Sequence, residues 1–221
     1  ERSASGFALL AGDPHLELTL PSIWYEAHLE VPGKVDVYGV TIPGAPSIVI
    51  GFNRALAWTF TNTESDVMDT YAESVDDDAR PTKYRLDGVW VTLTPRVETY
   101  RGKRGELLVT DTLLFNRRGP LTRMGGRWIS TRWTVLEGAS SLHAFAAVAH
   151  AGSVAEFFKA METYGAPPQN MLVADRAGSI GIRSTGRFPI RPGDGRGDDF
   201  RAGPPSAADW ARDGTGSAGP Q

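Results

Sequence analysis

Apolar and polar positions follow one another in short runs, and glycine or proline separates most of the runs. Over Asp36-Val37-Tyr38-Gly39-Val40-Thr41-Ile42 the period is two, which predicts a strand with one face in a core; Pro43-Gly44-Ala45-Pro46 ends it. Phe7 to Leu10, Ser47 to Ile50 and Ala55 to Thr61 are further strand candidates. Leu86-Asp87-Gly88-Val89-Trp90 predicts a hairpin, because Asp-Gly suits the positive φ angles of a tight primed turn. Val97 to Tyr100 and Leu107 to Phe115 form a second expected pair across Arg101-Gly102-Lys103-Arg104-Gly105, so the middle of the chain reads as a β-meander.

Between Ser140 and Tyr164 the pattern changes to that of two consecutive helices, the second opening at Ser153. Ser153 and Glu156 stand at capping-box spacing, where hydroxyl and carboxylate each satisfy a backbone N–H left over at a helix start. Gly165-Ala166-Pro167-Pro168 stops this helix, and Met171 to Asp175 with Ser179 to Arg183 predict a hairpin around Arg176-Ala177-Gly178. Sheets with a small number of helices make an α+β chain. Residues 1–191 carry this pattern, whereas 192–221 is a Gly/Pro-rich irregular segment with Phe200 and Trp210 as apolar anchors.

Composition removes several functions. A net charge of -3 over 221 residues gives no general attraction for nucleic acid, and the basic Arg101, Lys103 and Arg104 lack interleaved aromatic platforms. The absence of cysteine rules out disulfides, thiol nucleophiles and thiolate metal sites, and no run of 18 apolar residues supplies a membrane-spanning helix. The four histidines form no HExxH pair, and no Gly-x-Ser-x-Gly elbow, Walker A loop or Gly-x-Gly-x-x-Gly loop is present.

Two places invite chemistry. His15 follows the turn former Asp13-Pro14, so it emerges at the end of an apolar segment. Thr61-Asn62-Thr63-Glu64-Ser65-Asp66-Val67-Met68-Asp69 follows the Trp58-Thr59-Phe60 run, where polar side chains at a strand end project into a cleft or form a solvated acidic turn. Asp66 and Asp69 offer hard oxygens, with a backbone carbonyl from between them, but two carboxylates fall short of the six to eight oxygens that calcium takes.

Ala4-Ser5-Gly6 followed by Leu9-Leu10-Ala11-Gly12-Asp13-Pro14-His15-Leu16 resembles the penicillin acylase family of N-terminal nucleophile hydrolases, near the start of its β-chain. The resemblance continues through Gly51-Phe52-Asn53, Ala57-Trp58-Thr59-Phe60-Thr61-Asn62 and Asp66-Val67-Met68-Asp69-Thr70-Tyr71. It extends to Arg118-Gly119-Pro120, Pro168-Gln169-Asn170-Met171 and Ala174-Asp175-Arg176-Ala177-Gly178-Ser179-Ile180-Gly181, covering most of positions 4 to 191.

This resemblance implies a four-layer αββα fold, incomplete in this chain, and a periplasmic or secreted bacterial amidohydrolase matured by autocatalytic processing of a zymogen. The family's nucleophile is a terminal Ser whose α-amine acts as base. Here it is expected upstream of residue 1, so neither Ser3 nor Ser5 inherits the role, and a late Asn of the oxyanion hole is expected downstream. His15 would help to orient the nucleophile, and the backbone N–H of Asn62 would face the oxyanion. Asp66, Asp69 and the Met68 carbonyl would hold a structural calcium, with no organic cofactor. The implied partners are an acylase α-chain, the missing β-chain sequence and an N-acyl small-molecule substrate, with no nucleic acid and no membrane span. The isolated chain is expected to be inactive; the alternative is a non-catalytic acylase-like binding or structural fragment.

Overall fold

The computed structural model describes residues 3–14, 16–137, 141–193, 195–197 and 200–211. Fourteen strands and two α-helices follow one another among them. The first seven strands are β1 (Tyr25–Val31), β2 (Val35–Thr41), β3 (Ile50–Asn53), β4 (Leu56–Asn62), β5 (Met68–Glu73), β6 (Lys83–Leu86) and β7 (Val89–Thr92). Then come β8 (Thr94–Arg101), β9 (Leu107–Phe115), β10 (Pro120–Met124) and β11 (Arg127–Trp133). Helices α1 (Ser141–Val148) and α2 (Val154–Ala160) precede β12 (Gln169–Asp175), β13 (Ile180–Thr185) and the short β14 (Arg201–Ala202). The mixture of sheets with few helices is α+β.

The chain divides into two compact units. In the first, the strand order is β1-β2-β3-β4-β12-β13, with every neighbouring pair antiparallel. Its core joins Val37, Trp58, Met171 and Val173 of the sheet to Ala144, Phe145, Val148 and Phe157 of the helices. Gly39 and Gly51 face each other across β2 and β3, where a Cβ on Gly39 would come within 2.1 Å of the Ile50 carbonyl, so only glycine permits this pairing. Asn53 ties the sheet to the chain after α1: its Nδ2 donates to the carbonyls of Ala149 and Ala151, while its Oδ1 accepts from the N–H groups of Ala55 and Leu56.

In the second unit the order is β14-β5-β11-β10-β9-β8, and β14 alone pairs in parallel. The Asp-Gly hairpin forms between β6 and β7, with φ of 47° at Asp87 and 81° at Gly88, as the primed turn requires. Within the Gly/Pro-rich end, Trp210 is buried and Arg201–Ala202 pairs with β5.

The β2, β4, β8–β9 and β12–β13 expectations agree with these elements, as do both helices. At the start of α2 the Ser153 hydroxyl accepts from the Glu156 N–H, and the Glu156 carboxylate accepts from Gly152 rather than Ser153. Phe7 to Leu10 forms no strand; Phe7 and Leu9 are exposed and have no ladder partner among the described residues. Ser47 to Ile50 is displaced, since Ile48 and Val49 enter the core before the strand begins at Ile50. No described helix is long and apolar enough to cross a membrane.

Candidate functional site

Alternation along β4 puts Trp58, Phe60 and Asn62 on one face. Exposure rises along that face, from Trp58 at 1% through half-buried Phe60 to exposed Asn62. The strand thus leads from the core of the first unit to its surface, and Phe60 and Asn62 line a cleft of about 440 Å³. Trp24, Ile42, Val49, Leu142 and Phe145 supply much of its apolar wall. The Phe145 ring lies 6.0 Å from Phe60 and meets Tyr164 edge-on at 5.7 Å, so the floor is an aromatic cluster. Gly12 brings the chain before Asp13 and Pro14 close to β4, because a Cβ there would fall 2.0 Å from Thr59 Oγ1.

The polar groups of the cleft are few and mostly fixed. Tyr164 donates its hydroxyl to the Pro167 carbonyl at 2.6 Å, and burial pushes its phenol well above the ordinary range, which keeps it neutral. Ser141 donates to the Ala166 carbonyl at 2.6 Å. Gln169 Nε2 donates to Asn62 Oδ1 at 3.0 Å, across the register pair that joins β12 to β4. Besides Tyr164, the ionisable residues in the described lining are Asp13 and Glu64, both acidic, and no Lys or Arg is among them. Such a cleft favours an uncharged apolar group and disfavours an anion.

Asn62 therefore stands at the rim of this cleft. His15 lies outside the described residues; its neighbours Pro14 and Leu16 line the cleft. Asn170, one position from Gln169, points its chemistry elsewhere and accepts a 2.6 Å bond from the Ser184 hydroxyl. Sequence reasoning passed over Gln169, Trp24 and Tyr164 as site residues. The signal for Gln169 was a cross-strand one: its position opposite Asn62 follows only once β4 and β12 are known to pair.

Asp66, Met68 and Asp69 belong to the second unit. Asp69 is fully buried; its Oδ1 accepts from Arg191 Nε at 2.9 Å and its Oδ2 from Trp210 Nε1 at 2.6 Å. Arg201 Nε lies 2.7 Å from Oδ2 as an ion pair. Asp66 takes Arg191 Nη2 on Oδ1 at 2.8 Å and on its backbone carbonyl at 3.0 Å. The Met68 side chain is exposed. As arranged, this donor set fits a guanidinium: both Asp69 oxygens are engaged, and Arg191 occupies the place between the carboxylates. It fits calcium only with Arg191 withdrawn, and no group of three or more metal-ligating side chains exists among the described residues.

Comparison with known proteins gives the family of the chain. A model of the penicillin amidase family matches residues 1–220. The chain belongs to the penicillin amidase family. Among similar proteins, an acyl-homoserine lactone acylase, QuiP of Pseudomonas aeruginosa, is 32% identical over 212 residues, which cover 89% of this chain and 25% of that protein. A second acyl-homoserine lactone acylase, PvdQ of Pseudomonas fluorescens, is 34% identical over 189 residues, or 80% of this chain and 24% of that protein. A thermostable penicillin G acylase from Alcaligenes faecalis superposes with a TM-score of 0.73 at 27% identity, covering 89% of this chain and 35% of that one. The chain thus spans about a quarter of the length of these curated relatives.

Proposed function

We propose that this chain forms the acyl-binding part of a penicillin-amidase-type amidohydrolase with the four-layer αββα fold. The observation that carries the reading is the largely apolar, aromatic-floored cleft, free of Lys and Arg in its described lining, with Asn62 at its rim. In the complete enzyme a serine hydroxyl from outside residues 1–221 attacks the carbonyl of an N-acyl amide. The amine departs with a proton, leaving an acyl-Ser ester, and water hydrolyses that ester to the free acid and regenerates the hydroxyl. The cleft holds the acyl group and excludes water, and the backbone N–H of Asn62 faces the oxygen on which charge develops. A donor in that position is worth about 10²–10³ in kcat in comparable enzymes. The isolated chain lacks the nucleophile and does not turn over.

For the acidic pair we propose arginine as the resident counter-ion, with calcium entering only where Arg191 leaves.

The reading is tested with the complete processed protein and a series of amides that share one amine and differ in acyl length. Leu142 is exposed at the cleft, so Leu142→Trp narrows the mouth with little effect on the core. It is expected to lower kcat/KM for long acyl groups by at least about tenfold and to spare acetyl amides. An equal loss across the series removes the cleft as the acyl site. No turnover of any N-acyl amide by the complete protein leaves a binding or structural role instead.

A further inference from the structure

Gln169 is a costly residue in its position. It is 5% exposed, lines a largely apolar cleft, and leaves its Oε1 buried without a hydrogen-bond partner among the described residues. A leucine would fill the same space with no orphaned acceptor, so stability alone does not explain an amide here. What the amide supplies is one bond: Nε2 donates to Asn62 Oδ1 at 3.0 Å. Among the described residues this is the sole hydrogen bond to the Asn62 side chain. Because the bond consumes the acceptor end of Asn62, it fixes which end is free. Oδ1 is turned toward Gln169, and Nδ2, a donor, is left at the exposed rim of the cleft.

We infer that Gln169 is a positioning residue which holds the Asn62 amide with Nδ2 toward the acyl carbonyl, so that the side chain of Asn62 adds a second donor beside its backbone N–H. The inference rests on the proposed acyl cleft and deepens it. The cross-strand pairing of Gln169 with Asn62 sets the reach of the bond, since the two residues stand directly opposite in the β4–β12 ladder. Without the tether the Asn62 side chain is free to rotate, and the donor reaches the carbonyl only part of the time.

The test uses the complete processed enzyme and an N-acyl amide that it hydrolyses. Gln169→Leu is expected to lower kcat about tenfold or more, to leave KM within about threefold, and to keep the thermal midpoint. In an Asn62→Ala background the same substitution is expected to change nothing further, because its effect runs through the Asn62 side chain. Gln169→Glu preserves the packing if the leucine variant fails to fold. Its carboxylic acid donates to Asn62 Oδ1 when protonated and only accepts when ionised, so the ratio of its kcat to that of the unsubstituted enzyme is expected to fall as pH rises through the new group's titration. Unchanged kcat in Gln169→Leu, a full additional loss in the Asn62→Ala background, or a flat ratio against pH overturns the inference while leaving the acyl cleft in place. Absence of turnover by the unsubstituted enzyme overturns the cleft and this inference together.

Discussion

Each unit has a buried apolar cluster, but only the second, whose cluster is Tyr84, Leu86, Leu93 and Leu121, adds networks of buried ion pairs among the described residues. The first closes around Trp58, Phe157, Met161 and Met171, and its cleft extends that apolar surface outward through Phe60 and Phe145. The second also buries ions. Arg118, whose side chain is 1% exposed, meets Glu73 Oε1 at 2.6 Å and Asp209 Oδ1 at 2.5 Å, with its guanidinium 4.3 Å over the Tyr71 ring. Asn116 and the Ser130 hydroxyl donate to the same Glu73 oxygen. Asp69 with Arg191 and Arg201 forms another such cluster. Apolar packing is non-directional, and under the proposed function it leaves a surface that an acyl group can use. Buried ion pairs are directional and intolerant of a missing partner, which suits strands that must be held in one arrangement.

The contrast is broken most severely by removing one ion. Arg118→Ala is expected to cost about 3–5 kcal/mol, with hydrogen exchange in the complete protein assigning the loss to β5 and β11. Replacing Arg118, Glu73 and Asp209 together by apolar residues of similar size is expected to cost less than that single change; a larger cost would mean that the pairs stabilise in their own right. In the first unit, Phe157→Ala is expected to cost about 3–5 kcal/mol through a cavity, with exchange rising in β4 and β12 instead. Arg191→Ala comes next, at up to about 3 kcal/mol, since Asp69 keeps Arg201 and Trp210. Calcium is expected to restore part of that loss and to leave the unsubstituted protein unchanged; the opposite pattern in a thermal-shift titration would make the metal the resident cation. Ser153→Ala removes the cap of α2 and is expected to cost about 1 kcal/mol.

The smallest effect concerns pH. The Thr82 hydroxyl and the N–H groups of Lys83 and Thr82 hold the Asp76 carboxyl well below its ordinary value near 3.8. A depressed carboxyl stabilises the fold above the unfolded value, and that contribution disappears as pH falls through the folded one. Stability is therefore expected to drop below about pH 4, and Asp76→Asn is expected to flatten the drop, as read from denaturant midpoints.

The legible parts of the fold were local. Period-two runs at β2 and β4, the Asp87-Gly88 turn and the Ser153 cap are decided by residues within a few positions of one another. β1 carries a period-two signal that the reading passed over, Tyr25, Ala27, Leu29 and Val31 alternating with Glu26, His28 and Glu30, but its apolar face enters the core only at partly buried Ala27. β5 was hidden because its acids look solvated in the sequence, whereas Asp69 and Glu73 are neutralised by arginines more than 40 residues away. The same limit applied to the site. Asn62 could be placed at a strand end, but its tether to Gln169 spans 107 positions and depends on sheet pairing.

The decisive measurement is peptide mapping by mass spectrometry of the complete purified enzyme, quenched in acid while it turns over an N-acyl amide. The expected result is an acyl mass on one serine outside residues 1–221, formed and lost at rates consistent with kcat. An acyl group on Ser3, Ser5 or any other residue of this chain, or turnover with no acyl-enzyme at all, would contradict the division of labour between this acyl-binding chain and a nucleophile supplied from elsewhere in the protein.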